Sequence, residues 1–155
     1  MPKTEAHEAL LGALQDATKE RAAADSAAPN ARAVAAVLFA HGLFLGICGL
    51  YGAASNGWAP KVMHSAYAGA GSCALLGACA LLAVSGSRKL YMLGVHLGLL
   101  LQLILAAVFA MQSVRSYGIP EKADRFPLFV LMCAGSVGAL VAMRLFKPKK
   151  AEKAA

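Results

Sequence analysis

Four stretches without a charged side chain, residues 33–60, 62–87, 90–114 and 126–143, constrain this chain more than any other feature. A helix crossing the hydrocarbon core of a bilayer needs about 20 mostly apolar residues at about 1.5 Å rise each. An ionised side chain at mid-membrane costs about 2.5–3.5 kcal/mol on insertion scales. Runs of this length, with every Lys, Arg, Asp and Glu between or outside them, read as membrane spans. A soluble four-helix bundle would alternate apolar stripes with charged faces, and these segments are apolar all round. The expected fold is all-α: a polytopic bundle of four transmembrane helices with a short amphipathic N-terminal helix.

The spans fall at about residues 33–54, 62–84, 90–112 and 127–145, within a transmembrane domain covering residues 33–146. Residues 1–32 are polar and Ala-rich. Thr4 is placed to cap a helix with Glu5 and Glu8 in its first turn and Leu10, Leu14 and Ala17 along one side. Ser26, Pro29 and Asn30 are expected to break it, and Arg32 marks the membrane boundary. Trp58 sits in the first link at an interface position. Ser85, Gly86 and Ser87 make a tight second link, and residues 113–126 form the longest link. Pro127 opens the last span in the favoured first turn. Residues 147–155 form a basic tail, in which Lys147, Lys149 and Lys150 suit anionic lipid headgroups.

Four spans place both termini and the second link on one side. That side carries eleven of the fifteen Lys and Arg residues, and the other carries Lys61, Arg115, Lys122 and Arg125. The imbalance is a positive-inside signal that puts the termini in the cytosol or an organelle's interior. It also accounts for the net charge of +7 without a nucleic-acid partner. The first apolar run begins too far into the chain for an ordinary cleaved signal peptide. Glu5, Glu8, Asp16, Glu20 and Asp25 are unlike a mitochondrial transit peptide, so organellar targeting would be internal.

Helices in lipid associate by close packing, because lipid tails are as apolar as Leu. Small residues recur at spacings of three and four: Gly42, Gly46 and Gly49 in span one, Gly69, Cys73 and Gly77 in span two, Gly94 and Gly98 in span three, Ala134 and Gly138 in span four. Each span thus carries a seam fit for a tight bundle or for docking on other membrane helices. Cys48, Cys73, Cys79 and Cys133 all fall inside spans and read as small packing residues.

No acidic residue and no Lys lies inside a span, which argues against an ion-coupled pump. The paired carboxylates, Ser-His-Asp sets and HExxH patterns of a hydrolase are absent too, so the expectation is a non-catalytic protein with no resident cofactor. The polar residues within the spans are His41, His64, His96 and Gln102. His41 and His96 sit at similar depth in spans that run parallel, so the pair could ligate a b-type haem, or one of them a pigment. Equally, each could hydrogen-bond across the bundle or contact a substrate. His64 lies beside the interface.

The glycines of span one (Gly42, Gly46, Gly49, Gly52), Gly57 three residues before Pro60, and Gly69, Gly71, Ser72 and Gly77 form a pattern. It continues in Arg115-Ser-Tyr117-Gly118, Lys122, Pro127, Gly135 and Ser136. Over about residues 36–146 it resembles the transmembrane-protein-14 family, which includes plastid fatty-acid exporters and a mitochondrial porphyrin-related carrier. The third link is longer than the family's, and Pro60 is followed by Lys-Val-Met-His rather than small residues. The resemblance implies a carrier of fatty acids or porphyrin-like molecules. The residues themselves point to an accessory subunit that packs by its seams against a larger energy-converting complex. Membrane lipids and other membrane subunits are the expected partners. The mitochondrial inner membrane is the expected location, with a plastid membrane second.

Overall fold

A backbone in lipid must satisfy its own hydrogen bonds, and a helix does so within one segment. Each of the four apolar runs accordingly forms a helix long and apolar enough to cross a membrane. The computed structural model of the 155-residue chain describes residues 2–120 and 125–146, and for residues 2–7, 9–10 and 19–30 the backbone alone. The elements are α1 (Pro2–Ala54), a 3-10 turn (Pro60–Val62), α2 (Met63–Val84), α3 (Arg88–Ser116) and α4 (Phe126–Leu145). This is an all-α integral membrane protein of four spans. Lys122, Lys147, Lys149 and Lys150 lie outside the described residues.

The first helix departs from the expected break at Ser26–Asn30: α1 runs unbroken for 53 residues. Pro29 removes one backbone donor and crowds the preceding turn. Its neighbours Ala22, Ala23, Ala24, Ala27, Ala28 and Ala31 are the best helix formers, and they carry the helix through it. Outside the membrane part, Leu14 and Ala17 of the thin apolar stripe are exposed, and the Leu10 side chain lies outside what is described. The third helix is also longer than expected, reaching Ser116, and shortens the third link to Tyr117–Arg125.

Turns are made where the backbone can go left-handed. Gly57 (φ 62°) and Trp58 (φ 57°) end α1, with the Trp58 N–H donating to the Ala53 carbonyl at 3.0 Å. Gly86 (φ 76°) turns α2 into α3. The short links make sequence neighbours antiparallel, and α1 with α2, α2 with α3, α3 with α4, and α1 with α4 pack around a common centre. The first and third links thus share one end of the bundle, and the second link lies at the other.

Most extensive is the α1–α2 contact. A Cβ built at Gly49 would lie 2.6 Å from the Ser65 carbonyl oxygen and 2.9 Å from the Gly69 Cα. One built at Gly42 would lie 3.3 Å from the Cys73 Cα, and one at Gly46 3.5 Å from its Cβ. These backbones meet because no side chain stands between them, which is the small-residue packing that lipid favours. Gly94 receives α2 at the Cys79 carbonyl, and Gly98 receives Leu38 of α1. Leu38, Leu45 and Leu76 are fully buried at the centre.

The fourth helix packs by a different face from its seam. Ala134 and Gly138 point outward, and nothing lies within 4 Å of a Cβ built at Gly138 or at Gly77. The buried side of α4 is Met132, Ser136, Ala139 and Met143, with Gly135 forming a notch for the Phe44 ring. Methionines and one aromatic ring fill the wider gap on this side of the bundle, where two glycine faces could not meet.

Candidate functional site

A cavity of about 710 Å³ opens among the four helices at the end that carries the first and third links. That falls within the range of small-molecule sites. The inner walls are apolar: Gly69 and Ala68 of α2, Leu105, Val108 and Phe109 of α3, Leu128, Phe129 and Met132 of α4. The mouth is polar, with Ser55 and Asn56 from the first link, His64 and Ser65 from the start of α2, Gln112 from α3 and Arg125 at the start of α4. Ser72, on the inner wall, lies ten residues along from Val62. At 1.5 Å per residue that is about 15 Å, half the hydrocarbon thickness.

Sequence dictates this shape locally. Gly49 and Gly69 bring α1 and α2 into backbone contact, and the Ser65 hydroxyl donates to the Val62 carbonyl at 2.7 Å, folding its polar group onto the turn. Asn56 similarly donates to the Gly52 carbonyl at 2.9 Å. With α1 and α2 held so close, α4 meets this pair through the Leu128 side chain beside Gly52, and the space left between the helices is the cavity. Arg125 is half-buried at its mouth, one residue before α4. A guanidinium at the membrane boundary is a donor fork for an acidic group. The cavity thus sets one cationic fork above apolar walls.

The polar residues of the spans go to separate places. His41 is buried, and its Nε2 lies 3.1 Å from the Ser136 Oγ of α4, with its ring stacked against Phe44 at 6.4 Å between centroids. His96 is exposed on the outside of α3, its Nδ1 2.7 Å from the Met92 carbonyl of its own helix. The structure therefore does not bring His41 and His96 together as a haem-ligating pair, although they share a depth: the two rings leave their helices in different directions. Gln102 is fully buried on the same stripe of α3 as Gly94 and Gly98. Trp58 is exposed in the first link.

Sequence reasoning missed Arg125, Gln112 and Ser65 as members of one site, and counted His64 only as an interfacial residue. Their separation along the chain hides them, and the available signal was that all four belong to one end of the bundle. Gly135 was likewise missed as the notch of α4, where Phe44, three residues after His41 and so on the same face of α1, was the signal.

Fold and cavity together define a small polytopic membrane protein with an amphipathic cleft open toward one end. Comparison with protein-family models, with curated proteins and with solved structures finds no match for this chain. The transmembrane-protein-14 resemblance thus supplies an expectation of cargo and no assignment.

Proposed function

We propose that this protein binds, and carries between the two halves of the membrane, small apolar molecules bearing an acidic group, such as fatty acids or carboxylated porphyrins. The observation that supports this reading is the 710 Å³ cleft, apolar along its walls and lined by Arg125, Gln112 and Asn56 at its mouth. Apolar cargo needs no buried charge, which suits spans without Lys, Asp or Glu. The inner membrane of mitochondria, with the termini on the matrix side, is the location we propose. Reconstituted vesicles test the activity. A fluorescent fatty acid or a porphyrin should cross faster than in protein-free vesicles. Arg125→Gln should slow transfer roughly tenfold, the scale of one charge-assisted hydrogen bond of about 1.5 kcal/mol. Ala68→Trp, which places a ring in the cleft from an exposed position, should abolish it. Cargo moving no faster than in empty vesicles, for every fatty acid and porphyrin tried, overturns the reading.

A second reading has one observation in its favour. Ala134 and Gly138 of α4 face outward, a small-residue strip beside exposed Leu131, Val137 and Val141. Such a strip is where another membrane helix packs closely, which suits an accessory, non-catalytic subunit of a larger energy-converting complex. Extraction in mild detergent and a native gel decide this one: comigration with a far heavier species supports it, and a solitary monomer opposes it.

A further inference from the structure

Three residues that lie far apart in sequence share one level at the middle of the membrane. His41, Gln102 and Ser136 are each within two residues of the midpoint of their spans, Ala31–Ala54, Arg88–Ser116 and Phe126–Leu145. Contacts between the helices fix the same level independently. A Cβ built at Gly98 would touch Leu38, and α1 and α3 run in the same direction, so His41, three residues on, stands level with Gln102, four residues on. The Cys133 Sγ lies 3.6 Å from the Ala106 carbonyl across the antiparallel α3–α4 pair. Three residues on along α4 is Ser136, and four back along α3 is again Gln102. The offsets are within about one residue rise of 1.5 Å.

The hydrogen bonds fix the proton on His41. Ser136 has one hydroxyl hydrogen, and it is donated to the Met132 carbonyl at 2.9 Å. Toward His41 the Ser136 oxygen is then an acceptor, so the imidazole is protonated on Nε2 and its Nδ1 keeps a lone pair. That Nδ1 is buried and has no hydrogen-bond partner among the described residues. Neither the Nε2 nor the Oε1 of Gln102 has one, and Gln102 is 0% exposed. One layer therefore holds an unpaired acceptor on His41 and an unpaired donor and acceptor on Gln102. Lipid offers such atoms nothing, and buried polar groups are satisfied by protein or by ordered water.

We propose that this layer is a binding site for water at the bilayer midplane, held by the Nδ1 of His41 and the carboxamide of Gln102. A water donates one hydrogen to Nδ1, accepts from the Gln102 amide and donates its second hydrogen to the Gln102 oxygen, within the two to four partners that buried water takes. The innermost cleft residues Leu105 and Met132 stand three and four residues, about one helical turn, from Gln102 and Ser136. The site follows from the midplane contacts alone and does not depend on what the cleft carries.

Nuclear magnetic resonance of the full chain in lipid nanodiscs, with ¹⁵N-labelled His and Gln, tests it. The His41 ring should show a protonated Nε2 and a bare Nδ1, and the Gln102 amide protons should give exchange cross-peaks to water. Gln102→Met, similar in length and apolar, should keep the helical amide spectrum while shifting the His41 Nδ1 resonance. A proton found on Nδ1, Gln102 protons without water cross-peaks, a direct Gln102–His41 contact, or a His41 resonance unmoved in Gln102→Met would each overturn the site.

Discussion

At Gly49 the atoms that an added methyl would meet are backbone: the Ser65 oxygen at 2.6 Å and the Gly69 Cα at 2.9 Å. No rotamer change can clear them, so the helices themselves would have to separate. Gly138 has the opposite surroundings, with nothing within 4 Å. Gly49→Ala should therefore destabilise the bundle by about 1–3 kcal/mol, the range of overpacked cores. Gly138→Ala should leave stability unchanged or raise it by up to about 1 kcal/mol, since Ala is the better helix former. Unfolding of both variants in detergent, measured side by side, checks the pair. Equal losses would mean that α1 and α2 do not meet at Gly49. The polar contact between α1 and α4 admits a similar treatment. Ser136→Ala also removes the bond to Met132, so a double-mutant cycle with His41→Phe is needed to isolate the pair. A coupling of about 0.6–1.7 kcal/mol is expected, the range of interhelical hydrogen bonds in membranes.

Helix α1 is where the elements depart most from the sequence pattern. A continuous helix places Ala13 and Ala36, both exposed, about 35 Å apart at 1.5 Å per residue. Spin labels there should give one narrow distance distribution near that value by pulsed electron resonance. A break near Pro29 would yield a broad, shorter one. Proline alone reads as a stop in sequence, and the alanines around it outweigh that reading only when summed over several turns. The four spans were legible because charge is expensive in lipid whichever face it occupies, so its absence marks length and position directly. Rotation of a helix about its axis carries no such penalty. Ala134 and Gly138 are as acceptable against lipid as against a neighbour, which is why the seam of α4 was legible and its direction was not. His41 and His96 share a depth that residue counting finds, yet the ring of one meets Ser136 while the other faces outward. The cleft was illegible for a related reason: Asn56, Gln112 and Arg125 come from three parts of the chain and meet only once the helices pair.

For the molecule as a whole, the alternation of antiparallel helices puts the first and third links at one end and the second at the other, and the positive-inside rule gives an expected sidedness for the two ends. The exposed link residues Ser55 and Ser87 mark the two ends. Lys and Arg are concentrated at the end of Ser87, where Arg88, Lys89 and Arg144 join the basic residues of the two termini. Insertion retains such segments on the side where the chain is made or imported. Ser87→Cys, introduced into sealed vesicles of known orientation, should react with a membrane-impermeant maleimide only from the matrix or cytosolic side. Ser55→Cys should react only from the opposite side. The native thiols Cys48, Cys73, Cys79 and Cys133 lie within the spans, two of them buried, so the unmodified chain should give a low background. The orientation bears on the proposed cleft, because its mouth lies at the Ser55 end, with Asn56 and Arg125. An anionic amphiphile applied to the Ser55 side should accordingly slow labelling of Ser55→Cys, whereas the same compound on the other side should leave Ser87→Cys labelling unchanged. Labelling of both positions from one side would contradict the alternation of the helices, and inverted sidedness would contradict the charge rule while leaving the fold intact.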